Sequence, residues 1–203
     1  MPAKRLATRD RIITAAGELF YDEGIDRSSM EQIASRAGVT KRTLYYHFRS
    51  KDDLVGFWLE QLDKSVRANY RLWLHSAPGR IEARLRHMFG RLAELTCNPR
   101  WKGCGFARAA NELAGLPGHP GVIAAKTHRK RFEAWFVEEL RADGIEPAER
   151  LARRMVLLLD GAITQALLHH DPAYVHEAGD TAADLVHAAR RLSATDRVDG
   201  FAA

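Results

Sequence analysis

Residues 28–51 read SSMEQIASRAGVTKRTLYYHFRSK, a stretch in which two short helices and the turn between them can be marked residue by residue. Ser28 followed by Glu31 fits the capping-box pattern, in which a serine oxygen accepts an orphan N–H of the first turn and a carboxylate reaches back. A helix therefore starts here, with Met30, Ile33, Ala34 and Ala37 along one apolar face. Gly38 offers the left-handed position that ends it. Val39 turns the chain, Thr40 is a second N-cap, and another helix runs through Thr43 and Leu44 to Phe48. Leu44 and Phe48 are one turn apart and face inward, whereas Lys41, Arg42, Tyr45 and Tyr46 take the other flanks. Ser50 with Asp53 caps a third helix that begins at Lys51.

Two helices crossing at a glycine turn, the second with a basic and aromatic free flank, describe a helix-turn-helix whose second helix fits the DNA major groove. A helical corner in an unrelated bundle is the plainer alternative. The residues themselves favour the first. Ile33, Ala34, Ala37, Gly38, Val39, Leu44, Tyr45, His47, Phe48, Lys51 and Leu54 together resemble the I-A-x-x-A-G-V-T-x-x-x-L-Y-x-H-F-x-x-K-x-x-L signature of the TetR family of bacterial repressors. The resemblance implies a helix-turn-helix head on a helical body that binds an effector and dimerises.

Charge agrees with a DNA-binding head. The formal net charge is +5, and residues 1–51 hold ten Lys/Arg against six Asp/Glu, leaving 21 against 20 for the rest. Such an asymmetry suits a polyanion-binding head on a nearly neutral body. No apolar run reaches membrane-spanning length, and MPAKRLATRD lacks the apolar region of a signal peptide, so a cytoplasmic protein is expected. Cys97 and Cys104 are too few for a disulfide framework.

Outward from the central stretch, the arm at residues 1–8 holds Lys4 and Arg5, which with Arg9 could reach phosphate or the minor groove, although a frayed terminus is the commoner state. Ile12, Ile13, Ala16, Leu19 and Phe20 mark a first helix from Arg9 to Tyr21 that packs behind the helix-turn-helix. After Ser50 a long helix reaches toward His75, with Gly56 inside it at a close contact or a bend. Further helices are set off by the break at Pro78 and Gly79, the segment WKGCGFARAANEL at 101–113, the connection GLPGHPG, Pro147 and Asp171-Pro172. The segment at 101–113 resembles the R-G-C-x-x-x-x-A-A-x-E stretch of one subgroup of TetR-like effector domains. The expected fold is all-α, about nine helices, with a DNA-binding domain at 1–51, an effector-binding and dimerisation domain at 52–203, and a loose tail after Ser193.

For the head, Ser28, Ser29 and Thr40 offer hydroxyls to phosphates at helix starts, and Arg42 and Thr43 are placed to reach base edges. The resemblance adds backbone contacts for Tyr45, His47 and Lys51, and it sets a small residue in many relatives where Arg42 stands. Lys41 and Tyr46 complete the expected DNA-facing set. A single head buries little DNA, so a symmetric dimer on a palindrome is expected, with Leu158, Leu159, Ala162, Ala166, Leu185, Val186 and Ala189 forming the apolar faces of the last two helices. Part of those faces closes the protomer's own core.

Trp58, Trp73, Phe89, Trp101, Phe106, Phe132 and Trp135 give the middle helices ample aromatic area, which is either core or the lining of a pocket for a hydrophobic or aromatic effector. Cys104, Asn111 and His128 are polar groups near that expected cavity. The resemblance implies that the effector changes the separation of the two heads and releases the operator. No cofactor is expected, and the cysteines and histidines lack finger-like metal spacing. The competing readings are a thiol redox sensor at Cys104, a metal- or cysteine-dependent helical enzyme, and a helical interaction module without DNA binding.

Overall fold

The computed structural model describes residues 7–199, with side chains through residue 192. Lys4 and Arg5 of the expected arm lie outside the described residues. Among those described there are nine helices and no strand: α1 (Thr8–Asp22), α2 (Met30–Ala37), α3 (Lys41–His47), α4 (Lys51–His75), α5 (Ile81–Thr96), α6 (Gly105–Glu112), α7 (Pro120–Ala142), α8 (Ala148–His169) and α9 (Ala173–Asp199). α9 thus continues beyond Ser193, where a loose tail was expected.

The chain forms two compact units. One comprises residues up to 65 together with 104–128, and the other comprises 66–103 together with 129 onward. The sequence division at residue 51 was drawn after the helix-turn-helix motif; by compactness, the first half of α4, all of α6 and the start of α7 group with the N-terminal helices.

In the first unit, α1 packs on α2 and α2 on α3. Ile12, Ala16, Leu19 and Phe20 of α1 are buried, as are Ile33 and Ala34 of α2, Leu44 of α3, and Leu54, Val55 and Leu59 of α4. Ile13 is only half-buried; Ala15 takes the inward place instead. A Cβ added at Gly56 would lie 2.8 Å from the Pro120 Cβ. That glycine therefore marks a close approach of α4 to the start of α7, since α4 runs unbroken through it.

In the second unit, α9 packs on both α5 and α8. Its core holds Leu74, Ile81, Leu85, Phe89, Met155, Val175 and Val186, each fully buried or nearly so. An aromatic cluster joins Tyr70, Trp73, Phe132, Trp135 and Phe136, with the Tyr70 and Phe132 rings edge to face at 5.1 Å. Burying such ring area stabilises the unit by about 25 cal/mol per Å² removed from water. Leu95 and Leu192 are exposed.

Candidate nucleic-acid interface

The start of α2 is one residue later than its sequence pattern suggested. Ser29, not Ser28, is the N-cap: its Oγ accepts the Gln32 N–H at 3.2 Å while the Gln32 Oε1 accepts the Ser29 N–H at 2.7 Å. Ser28 is 1 % exposed and its hydroxyl donates to the Gly24 carbonyl at 2.6 Å. It is a loop-closing residue with no surface from which to hold a phosphate. Glu31 instead pairs with Lys41 of α3, which holds the Glu31 carboxyl below its usual range and raises Lys41. Both groups are exposed, so this pair is weak and a phosphate can replace it.

The turn follows the expected form. Gly38 has φ +63 and ψ +43, a left-handed conformation that a side chain disfavours. Its carbonyl accepts from Arg11 Nη2 at 2.9 Å, so α1 pins the turn from behind. Thr40 caps α3 by accepting the Thr43 N–H at 3.1 Å, and the two threonine hydroxyls bond to each other at 2.9 Å. Thr43 is thereby oriented by the cap, a constraint its spacing alone does not reveal.

Leu44 and Phe48 anchor α3 from within at 0 % and 1 % exposure. On the free side Lys41, Arg42, Tyr45 and Tyr46 are exposed, Tyr46 at 85 %, and Thr43 and His47 are half-buried. Tyr46 does not pack on α1; its ring meets His47 edge-on at 5.3 Å. Arg9 stacks over Phe57 with its guanidinium carbon 3.8 Å from the ring centroid, which fastens the start of α1 to α4. Lys51 is half-buried at the start of α4, beside the same surface. The resulting face carries guanidinium, ammonium, hydroxyl and phenol groups on a helix whose opposite side is locked in the core. Such a face can position phosphates and read base edges.

In the first unit, Trp58 is 9 % exposed and packs its ring on Phe20 at 5.4 Å. Phe106 stacks flat on His128 at 3.6 Å, and His128 Nδ1 is 2.7 Å from Asp63 Oδ1 with both side chains buried. Cys104 is half-buried at the N-cap of α6. Asn111 is exposed on α6. In the second unit, Phe89, Phe132 and Trp135 are core residues, the Trp135 Nε1–H donating to Glu139 at 2.9 Å, while Trp73 and Trp101 are partly buried. Of the expected dimer residues, Leu159, Ala162, Ala166, Val186 and Ala189 are buried within the protomer, and Leu158 and Leu185 are partly buried against the same core. Helical periodicity alone thus picked residues on the inner faces of α8 and α9. Leu157 at 66 % and Leu168 at 67 % are exposed on α8 instead. Among the described residues no group of three or more His, Cys, Asp or Glu is arranged to hold a metal ion, and no helix is long and apolar enough to cross a membrane.

The fold and this face define a helix-turn-helix DNA-binding protein. Residues 12–56 match the family described as bacterial regulatory proteins, tetR family. The chain is 41 % identical over 182 residues to the HTH-type transcriptional regulator TtgR of Pseudomonas putida, covering 81 % of this chain and 82 % of that one. It is 24 % identical over 143 residues to the HTH-type transcriptional repressor KstR2 of Mycolicibacterium smegmatis, covering 70 % and 69 % of the two chains. The crystal structure of a TetR-family transcriptional regulator from Streptomyces coelicolor superposes with a TM-score of 0.75 at 30 % identity, over 88 % of this chain and 93 % of that one. The chain belongs to the TetR family of DNA-binding transcriptional regulators.

Proposed function

We propose that this regulator is a repressor that binds a palindromic operator as a homodimer and is released by a small hydrophobic or aromatic effector. The observation that carries the reading is the free flank of α3, where Arg42, Tyr45 and Tyr46 are exposed on a helix anchored by Leu44 and Phe48. Arg42 and Thr43 address base edges, and Ser29, Thr40, Lys41, Tyr45, Tyr46, His47 and Lys51 hold the backbone. Repression is favoured by the likeness to a named repressor. Dimerisation is assigned to the outer stripe of α8, Leu157, Gly161, Thr164 and Leu168, and that of α9, Leu185, Ala188 and Leu192, which are exposed except for half-buried Leu185 and recur at helical spacing.

The effector reading rests on aromatic density, with Trp58, Cys104, Phe106 and His128 proposed as contacts in the first unit and Trp73, Phe89, Trp101, Phe132 and Trp135 in the second. Binding to a random duplex library at near-physiological salt, followed by sequencing of the retained DNA, tests the head; an enriched palindrome is the expected result, and salt-sensitive binding without enrichment overturns it. Titrating planar aromatic compounds against tryptophan fluorescence, and against release of the enriched duplex, tests the effector. Quenching without release leaves a binding protein whose DNA affinity does not respond.

A further inference from the structure

Glu112, the last residue of α6, sets both carboxylate oxygens on the loop between α1 and α2. Oε2 accepts the Ile25 N–H at 3.0 Å and Oε1 the Asp26 N–H at 3.2 Å. One turn earlier on α6, Arg108 Nη1 donates to the Tyr21 carbonyl at 2.6 Å, with its guanidinium carbon 5.4 Å from the Tyr21 ring centroid. α1 carries no basic residue in its last turn, so Arg108 supplies the cation favoured by the carbonyl end of a helix. One face of α6 therefore offers a cation to the end of α1 and an anion to the two peptide N–H groups that follow.

The loop is shaped around this carboxylate. Gly24 has φ +99, and a Cβ there would lie 2.7 Å from Glu112 Oε1. Beyond Asp26, the Ser28 N–H donates to the Ile25 carbonyl at 3.3 Å and the Ser28 hydroxyl closes on Gly24, which leaves Ser29 as the cap of α2. Short hydrogen-bonded steps thus lead from α6 to the first residue of the helix-turn-helix.

We propose that Glu112 and Arg108 are positioning residues for DNA binding: α6 holds the α1–α2 loop, and through it the orientation of α2 and α3. The inference rests on α3 being the DNA-reading helix. Neither residue needs to touch DNA. Removing the carboxylate leaves two peptide N–H groups of the loop without the acceptor that fixes them, and a small displacement there carries to the recognition helix.

The test compares wild type, Glu112→Gln and Glu112→Ala on the duplex enriched by the wild-type protein and on a scrambled duplex of equal length, with amide hydrogen exchange measured at Ile25 and Asp26. Glu112→Ala is expected to lose roughly tenfold in affinity for the enriched duplex, little for the scrambled one, and to exchange faster at both amides. Glu112→Gln, which keeps one acceptor oxygen, falls between, and it decides the matter if the alanine variant does not fold. Faster exchange with undiminished affinity, unchanged exchange, or equal losses on both duplexes overturns the proposal. If wild type enriches no duplex, the reading of α3 fails first, before any variant is measured.

Discussion

The Lys51 ammonium, at the first residue of α4, donates to the Asp26 carbonyl at 3.2 Å. The Asp26 backbone is thus held at its carbonyl by α4 and at its N–H by Glu112 of α6. An ammonium carries three donors, so this bond leaves Lys51 able to take a phosphate as well. Lys51→Ala is expected to weaken binding to enriched and scrambled duplexes alike, and to reduce the slope of log K against log salt by about one. An affinity loss with an unchanged slope would assign Lys51 to the loop alone.

Arg42 is exposed on the free flank of α3, where a bidentate pair with guanine discriminates by roughly 1 to 3 kcal/mol. Arg42→Ala is therefore expected to flatten preference at one or two positions of the enriched sequence while leaving affinity for scrambled DNA nearly intact. Repeating the library selection with the variant gives the answer. Losses of equal size on both DNAs would make Arg42 a phosphate contact.

The helix-turn-helix was legible because its anchors are local: Gly38 ends α2, Thr40 caps α3, and Leu44 and Phe48 are a turn apart. The register of the first cap was not. Ser28 with Glu31 and Ser29 with Gln32 both satisfy the same pattern, and the choice falls to Gly24, whose carbonyl draws Ser28 inward. Nor could spacing separate the faces of α8 and α9, since Leu157, Leu158 and Leu159 are consecutive leucines and only packing decides which points to the core. The Glu112 grip was invisible for a different reason, its partners lying more than eighty residues away.

Glu82 on α5 binds Arg190 of α9 through both carboxylate oxygens, at 2.8 and 3.1 Å. Burial works to raise the Glu82 carboxyl, but the Arg190 hydrogen bonds and charge outweigh it and hold the group below 4.5. A lowered acid contributes stability that is fully present above its unfolded value and lost as pH falls through its folded value. Glu82→Gln is thus expected to cost about 1 to 3 kcal/mol near neutral pH, with the wild-type advantage shrinking below pH 4.5. Urea unfolding at a series of pH values measures it, and a gap that stays constant into acid would contradict the assignment.

The buried His128–Asp63 pair is held between α7 and α4, with Phe106 flat against the imidazole. Deleting one partner of such a pair costs about 3 to 5 kcal/mol, whereas replacing both by apolar groups of similar size can be nearly neutral. His128→Ala should therefore lower the unfolding midpoint strongly, and the double change His128→Leu with Asp63→Leu should recover part of the loss. If that stabilised double variant also fails to respond to an effector that releases the wild-type protein, the pair belongs to the response as well as to the core.

The outer stripe of α8 yields a prediction that the inner residues do not. Leu159, Ala162 and Ala166 are committed to the protomer core, so their substitution destabilises the fold whatever the oligomeric state. Leu157 and Leu168 are exposed on the described chain, and burying both across a two-fold contact would contribute on the order of 1.5 to 3 kcal/mol for each side chain. Leu157→Glu together with Leu168→Glu is expected to shift the protein to monomer in sedimentation at micromolar concentration while helix content by circular dichroism is retained. Such a monomer should bind a half-site as weakly as scrambled DNA, because a single head lacks the second half-site that raises specific affinity. A double variant that stays dimeric would move the interface off this stripe, leaving Leu185, Ala188 and Leu192 of α9 as the faces to substitute next.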